Sequence, residues 1–378
     1  MTGKKPETLT ESVRSSKGLD GVVVGETRIG KSGLAGTLIY RGYDILDLFD
    51  NASFEEAAYL VLYGQLPLEQ DLAGFRSRLK ENMEIPGGVF DVLRCLPRGA
   101  NPMDLLRIAV SSLGTLAGEA TAEDRQISLA AKMPALVANG YRLSRGLDPI
   151  EPSREMSYAE NLLYMVLGVR PDRFDAWVLE RELILYLEHD LNASSFAVRV
   201  VASTRANVYA AVTAGIAALQ GPLHCGANEE AIRLLLSIGD PKKAKEHIGK
   251  MLADGKKIPG FGHRIYKKVD PRAQLGKRLL NRLIEQKGSD DNLYRLGLEV
   301  ESAVWTSKNL PANVDLYAGP VFYVLGLPIE VYTPLFAAAR IFGWMAHFNE
   351  QVAENKLIRP DTIYVGPTGL KYKPIKER

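Results

Sequence analysis

Apolar residues recur along most of this chain at three- and four-residue spacing, the periodicity of helices that bury one face. The spacing predicts helices over Ser53–Gly64, Pro102–Gly118, Arg125–Gly146, Pro171–Asp190, Asn207–Leu219, Asn228–Ile238, Pro241–Asp254, Arg272–Gln286 and Leu293–Ser307, with the longest over Ile329–Ala353. Helix punctuation accompanies them. Ser53 with Glu56 three residues on is a capping box, each side chain satisfying an amide that the first turn leaves unpaired. Gly64 and Pro67 close that helix, and Gly221-Pro222 stops the Ala-rich one over 207–219. Strand signals are confined to Gly21–Val24, Leu38–Tyr40 and Ile363–Val365. The pattern predicts an all-α fold with small β pieces at its edges, without an internal repeat or a low-complexity tract.

Composition narrows the class. Hydrophobic residues are 46% and charged residues 24% of 378, a globular balance with ample material for a core. A net charge of +2 gives no global attraction to nucleic acid or an anionic membrane, so any anionic ligand must be met by local clusters. The apolar stretch Leu327–Ile341 is interrupted by Pro328, Glu330, Pro334 and Arg340 and does not read as a membrane span. The opening residues lack an apolar core, so residues 1–17 are expected to form a polar arm and not a secretory signal. Cys95 and Cys225 make no disulfide framework, and a cytoplasmic location is the simplest expectation. There is no Ser/Gly linker. The sharpest discontinuities, the GPLHCG turn and the PANVD–GLP region, predict a smaller helical domain over 226–320 between the two parts, 1–225 and 321–378, of a larger one.

The chemistry concentrates in three short segments: Gly221–Glu229 (GPLHCGANE), Gly260–His263 (GFGH, leading into RIYKKVDPRAQ) and Pro311–Gly319 (PANVDLYAG). Each delivers one acid–base group, His224, His263 or Asp315, framed by small residues and proline. The chain has only five histidines, and a rigid histidine beside open space is what proton transfer requires. Each also has a structural reading: His224 as a helix-turn cap, His263 as a turn filler, Asp315 as an amino-terminal cap. Arg340 interrupts an apolar helix, where a charge needs either a buried ion pair or an anionic ligand. His224, Cys225, His263 and Asp315 are all zinc-capable types, but adjacent His-Cys suits one tetrahedral ion poorly, so no metal is expected. Gly25–Ser32 (GETRIGKS) fits the G-x-x-x-x-G-K-S/T phosphate-binding pattern. Such a loop must open a helix, whereas Gly33 and Gly36 follow at once; an edge hairpin with Gly-Lys-Ser-Gly at its turn is expected instead of a nucleotide-binding protein.

These segments resemble citrate synthases. GPLHCGANE is similar to the family's GPLHGGANE and departs at Cys225, which leaves fine acyl selectivity open; GFGHRIYKKVDPR and PANVDLYAG resemble the family's other two motifs. Gly36–Pro67 and LIRPDTIYVGP resemble its amino-terminal block and carboxyl-terminal arm, so the similarity spans about residues 17–370. The resemblance implies an all-α fold whose large and small domains close over a cleft. It implies condensation of a coenzyme A thioester with oxaloacetate: Asp315 takes a methyl proton, His224 donates to the thioester carbonyl and His263 polarises the ketone. His189, Arg272, Arg340 and Arg359 match the family's oxaloacetate-binding residues, Arg359 from the other subunit of a homodimer. Lys256, Lys257, Ile258, Pro259, Gly260, Phe261, Gly262 and Lys267 would contact coenzyme A, with Lys268 beside them, although a run of lysines is also an ordinary solvated face. No cofactor is implied beyond the thioester co-substrate. Acetyl-CoA would give citrate and propionyl-CoA 2-methylcitrate; one methyl group is worth only about 1–3 kcal/mol of discrimination, and no residue decides between them.

Overall fold

The computed structural model describes residues 17–19, 21–224 and 226–378. The expected polar arm, apart from Lys17, and the departure at Cys225 lie outside the described residues. A small antiparallel sheet comes first: β1 (Gly30–Gly33), β2 (Thr37–Tyr40) and β3 (Tyr43–Asp44), with Gly30 opposite Tyr40 and Ile39 opposite Asp44. Among the described residues sixteen α-helices follow: α1 (Ile45–Asn51), α2 (Phe54–Tyr63), α3 (Glu69–Glu81), α4 (Gly87–Arg94), α5 (Pro102–Leu116), α6 (Ala122–Ser144), α7 (Tyr158–Leu167), α8 (Arg173–Tyr186), α9 (Ala193–Ser203), α10 (Val208–Leu219), α11 (Ala227–Ile238), α12 (Ala244–Ala253), α13 (Pro271–Lys287), α14 (Asn292–Lys308), α15 (Asp315–Val324) and α16 (Tyr332–Ala353). The all-α expectation holds.

The caps follow the sequence. Ser53 and Glu56 form the capping box of α2, and Gly64 ends it in the left-handed conformation with φ 90°. Asn207 caps α10 by accepting from Ala210 N. At the centre, every residue of α16 from Tyr332 to Phe348 is buried, as a helix apolar on all sides must be. It packs against α2, α5, α6, α8, α9, α10 and α11.

Several boundaries differ from expectation. The longest helix is α6, at 23 residues against 22 for α16, because Thr121 caps α6 ahead of the expected start and Ile329–Val331 is a 3-10 turn preceding α16. Gly21–Val24 and Ile363–Val365 are irregular and belong to no sheet: Gly21 lies in a turn with φ 73°, Val23 and Val365 are exposed, and no strand lies beside them among the described residues. Gly-Lys-Ser-Gly is the strand β1 itself, and the hairpin turns through Leu34–Gly36, where Gly36 has φ 91°. No helix follows Gly25–Ser32, so the phosphate-loop reading lacks its geometric requirement.

One buried group makes the fold pH-sensitive. Glu182 of α8 is fully buried, and neither carboxyl oxygen has a hydrogen-bond partner among the described residues. Burial pushes its pKa from 4.5 up to about 8. An acid whose folded pKa is raised favours the fold while protonated, and that contribution is lost as pH climbs from the ordinary carboxylate range through about 8. Glu182→Leu is therefore expected to raise the melting temperature more at pH 8.5 than at pH 5. Equal shifts at both would contradict this.

Candidate active site

Two loops place the first pair of candidate residues. The loop between α12 and α13 carries Gly260–His263, and the loop before α15 carries Pro311–Val314. They are fastened by an antiparallel bridge between Phe261 and Ala312 and by backbone bonds from Gly262 N to Pro311 O (2.9 Å) and from Asn313 N to Gly260 O (2.9 Å). The Asn313 amide donates to Gly262 O at 3.0 Å. Gly260 has φ 82°, and a Cβ there would stand 3.1 Å from Leu316 Cα, so any side chain would be both strained and obstructed. His263 and Asp315, 52 positions apart in sequence, are thereby held on one double loop.

The protonation pattern follows from the surroundings. His263 Nδ1 accepts from the amides of Ile265 (3.1 Å) and Tyr266 (3.2 Å), which leaves the proton of the neutral ring on Nε2. The ring stacks on Tyr266, with centroids 4.6 Å apart, and meets His189 edge-on at 5.0 Å. Burial and then the Arg272 charge lower its pKa to about 4. Asp315 opens α15 and is 7% exposed, with no partner for Oδ1 among the described residues. Burial pushes its carboxyl up to about 7 against the pull of Arg272. A neutral imidazole donor and a carboxyl group that ionises near neutrality are what proton abstraction beside a carbonyl requires.

His224 lies in the turn before α11. Its Nε2 is 3.3 Å from the donating amide of Ser194 and 3.0 Å from Ser194 Oγ. An amide can only donate, so Nε2 is the bare nitrogen and the proton sits on Nδ1. Burial, followed by the Arg340 charge, lowers its pKa to about 4. Ser194 is fixed in turn by Asn192, which caps α9, and by Trp344 Nε1 donating at 3.1 Å. α11 reaches α15 where Gly319 meets the Asn228 carbonyl; a Cβ at Gly319 would stand 3.1 Å from that oxygen. The His224 turn and Asp315 thus sit at the amino ends of two packed helices.

The cationic residues complete the cluster. Arg272 is 4% exposed and bound bidentately to Asp270, the cap of α13, through Nε (3.0 Å) and Nη2 (2.8 Å). Burial is the largest single influence and opposes its charge, but Asp270, Tyr266 and Tyr40 together raise its pKa. Arg340, 1% exposed on α16, donates from Nε to Tyr186 O at 2.6 Å and lies over the Phe336 ring at 4.9 Å. His189 follows α8, with Nε2 3.0 Å from Tyr266 Oη. Its pKa is well below the ordinary value, through burial first and then Arg272, His263 and Arg340. Arg272 acts on His189, His263 and Asp315, and Arg340 on His189 and His224, so six of the seven catalytic and substrate-binding candidates share one electrostatic neighbourhood.

Arg359 is the exception. Its side chain is 75% exposed and pairs with Asp361 at 3.2 Å on the irregular segment after α16. Of the residues expected to meet coenzyme A, Ile258 and Gly260 are buried, while Pro259, Phe261 and Gly262 are half-buried along the loop. The lysines are exposed: Lys256 lies 3.5 Å from Asp254, and Lys267 donates to His263 O at 3.1 Å. Sequence reasoning missed Ser194, Tyr266, Asp270, Asn313 and Trp344, which orient the site. Asp270-Pro271 carried a legible cap signal, aspartate before proline at a helix start. Among the described residues, no three His, Cys, Asp or Glu side chains cluster to hold a metal, and no helix is long and apolar enough to cross a membrane.

Comparison with known proteins places the chain in a family. A family model described as "Citrate synthase, C-terminal domain" matches residues 18–361. "Citrate synthase 2" of Bacillus subtilis is 39% identical over 371 residues, covering 96% of this chain and 99% of the relative. The "2-methylcitrate synthase" of Shewanella oneidensis is 38% identical over 366 residues, covering 96% and 97%. The citrate synthase of Thermoplasma acidophilum, solved as a ternary complex with carboxymethyl coenzyme A and oxaloacetate, superposes with a TM-score of 0.91 at 35% identity, covering 97% of this chain and all of the other. The chain belongs to the citrate synthase family and is an acyltransferase of that type.

Proposed function

We propose that the enzyme condenses acetyl-CoA with oxaloacetate and water to give citrate and coenzyme A. The observation that carries this reading is the convergence of one carboxyl group that ionises near pH 7, two neutral imidazoles and two buried guanidiniums. Asp315 removes a proton from the thioester methyl group. The electron pair moves onto the thioester oxygen, where His224 donates. The carbon then attacks the ketone of oxaloacetate, forming the carbon–carbon bond, while His263 donates to the ketone oxygen as it becomes an alkoxide. Water cleaves the thioester of the product and releases the thiol. Arg272 and Arg340, with His189, hold the two oxaloacetate carboxylates.

Propionyl-CoA is the second reading, favoured by the relatives named 2-methylcitrate synthase. Thiol release with oxaloacetate and a panel of acyl-CoAs tests both. Turnover with acetyl-CoA above propionyl-CoA is expected; the reverse order favours 2-methylcitrate, and no turnover with either overturns the proposal.

The assembly we propose is a cytoplasmic homodimer. Exposed Leu357, Tyr364, Val365, Leu370, Tyr372 and Ile375 give the segment after α16 an apolar character that a second copy would cover, delivering Arg359 to the partner's site. Residues 226–320, as a smaller domain, would close on bound oxaloacetate and complete the coenzyme A site, with the Lys256–Gly262 loop and Lys267 along its edge. Arg340→Leu removes a charge-assisted clamp and is expected to raise the KM for oxaloacetate about 100-fold, with a small effect on the acyl-CoA KM. An unchanged oxaloacetate KM would mean that Arg340 serves an internal ion pair.

A further inference from the structure

Behind the substrate-facing residues lies a second buried pair that the mechanism above does not use. Glu188 and His347 are both fully buried, with His347 Nε2 3.1 Å from Glu188 Oε1. Two glycines make room for Glu188. A Cβ at Gly30 of β1 would stand 2.8 Å from Glu188 Cγ, and one at Gly343 of α16 would stand 2.6 Å from Glu188 Oε2 and 2.3 Å from Leu187 O. A carboxyl group seated between two backbones has little freedom to move.

The location gives the pair its meaning. Between the end of α8 and the cap of α9, the chain crosses a short irregular turn, Leu187–Leu191, that carries His189. Asp190 in that turn has φ 56°, a left-handed conformation uncommon outside glycine. The turn depends on outside contacts for its shape, and one face of α16 supplies them. Residues 340, 343, 344 and 347 share that face at i, i+3, i+4 and i+7. In order, they bond Tyr186 O, pack on Leu187 O, bond Ser194 Oγ and meet Glu188. Arg340 is seven residues from His347 on the same rigid helix, and Glu188 is adjacent to His189.

We infer that Glu188 and His347 are positioning residues that set the turn against α16, so that His189 and Arg340 address one substrate. The inference rests on the oxaloacetate reading of the site. It assigns the pair to the oxaloacetate carboxylate contacts made by His189 and Arg340, because the loops bearing His263 and Asp315 are held by their own bridge.

Glu188→Ala and His347→Ala are expected to raise the KM for oxaloacetate about 10- to 100-fold, the scale of an ångström-size misplacement, with the acyl-CoA KM within twofold of wild type. Glu188→Gln, which keeps the length and a hydrogen-bonding end, is expected to restore most of the loss. If alanine unfolds the chain, Glu188→Asp carries the test: it shortens the reach by one methylene and is expected to raise the oxaloacetate KM severalfold and selectively. Both KM values rising together, or an unchanged oxaloacetate KM, would overturn the inference. Wild-type thiol release is measured alongside. Its absence overturns the oxaloacetate reading, and the ligand-free crystal structure of Glu188→Asp then decides the positioning claim. A His189 ring shifted against Arg340 upholds it, and a ring in place overturns it.

Discussion

Asp315→Asn is expected to lower kcat by about a thousandfold or more, with little change in the KM for oxaloacetate. The substitution keeps size and polarity and removes the only function proposed for the group, accepting a proton from carbon. Because burial raises its pKa to about 7, the wild-type enzyme should lose kcat/KM as pH falls through that value. The sign follows from the role: a general base works deprotonated, so activity lies on the alkaline side. His224 and His263, lowered to about 4, stay neutral throughout this window and contribute no second step. Steady-state kinetics from pH 5 to 9 check both statements. Near-normal turnover of Asp315→Asn removes it as the base, and a flat acid limb removes the proposed titration.

His224→Phe is the second large effect. Loss of one fixed donor to a developing oxyanion costs about 10²–10³ in kcat. The proton on Nδ1 is positioned by Ser194, which Asn192 and Trp344 hold in turn. Ser194→Ala keeps the backbone amide at Nε2 but removes the hydroxyl contact at 3.0 Å, and should therefore reproduce part of the loss without touching substrate, because the ring is then held less firmly. The discriminating readout is the split between parameters. The oxaloacetate KM, governed by Arg272, Arg340 and His189, should change little in either variant. A His224→Phe enzyme within threefold of wild-type kcat would contradict the donor role.

Helix content was legible where one apolar stripe or one cap stood out. Ser53 with Glu56 announces α2, and Ser157 with Glu160 announces α7 by the same signature, although the sequence reading passed over it. α15 was legible only as the helix that a capping Asp315 would begin, because Gly319 and Pro320 lower its helix propensity; burial against α11 and α13 overrides that cost. α4 opens on two glycines and is short, so its pattern spans barely two turns. The sheet pieces misread at Gly21–Val24 and Ile363–Val365 have strand composition without a neighbour, and β propensity is a property of a paired surface.

The site was legible as a set of chemical groups and not as a geometry. His224, His263 and Asp315 stood out because their frames are poor helix and strand formers and rich in turn residues. Their convergence depends on the Phe261–Ala312 bridge and on the contact of Gly319 with Asn228, which no local pattern reveals. The orienting residues Ser194, Tyr266 and Trp344 look like ordinary core positions in the sequence. They become functional only through the polar atom that each turns toward a histidine or toward another orienting residue.

The most direct test is a crystal structure with oxaloacetate and the carboxymethyl thioether of coenzyme A, an unreactive stand-in for the thioester. The carboxymethyl group is expected between Asp315 and His224, within hydrogen-bonding reach at about 3 Å, with His263 at the ketone oxygen. A carboxymethyl group bound away from Asp315 and His224, or oxaloacetate bound without Arg272 and Arg340, would contradict it.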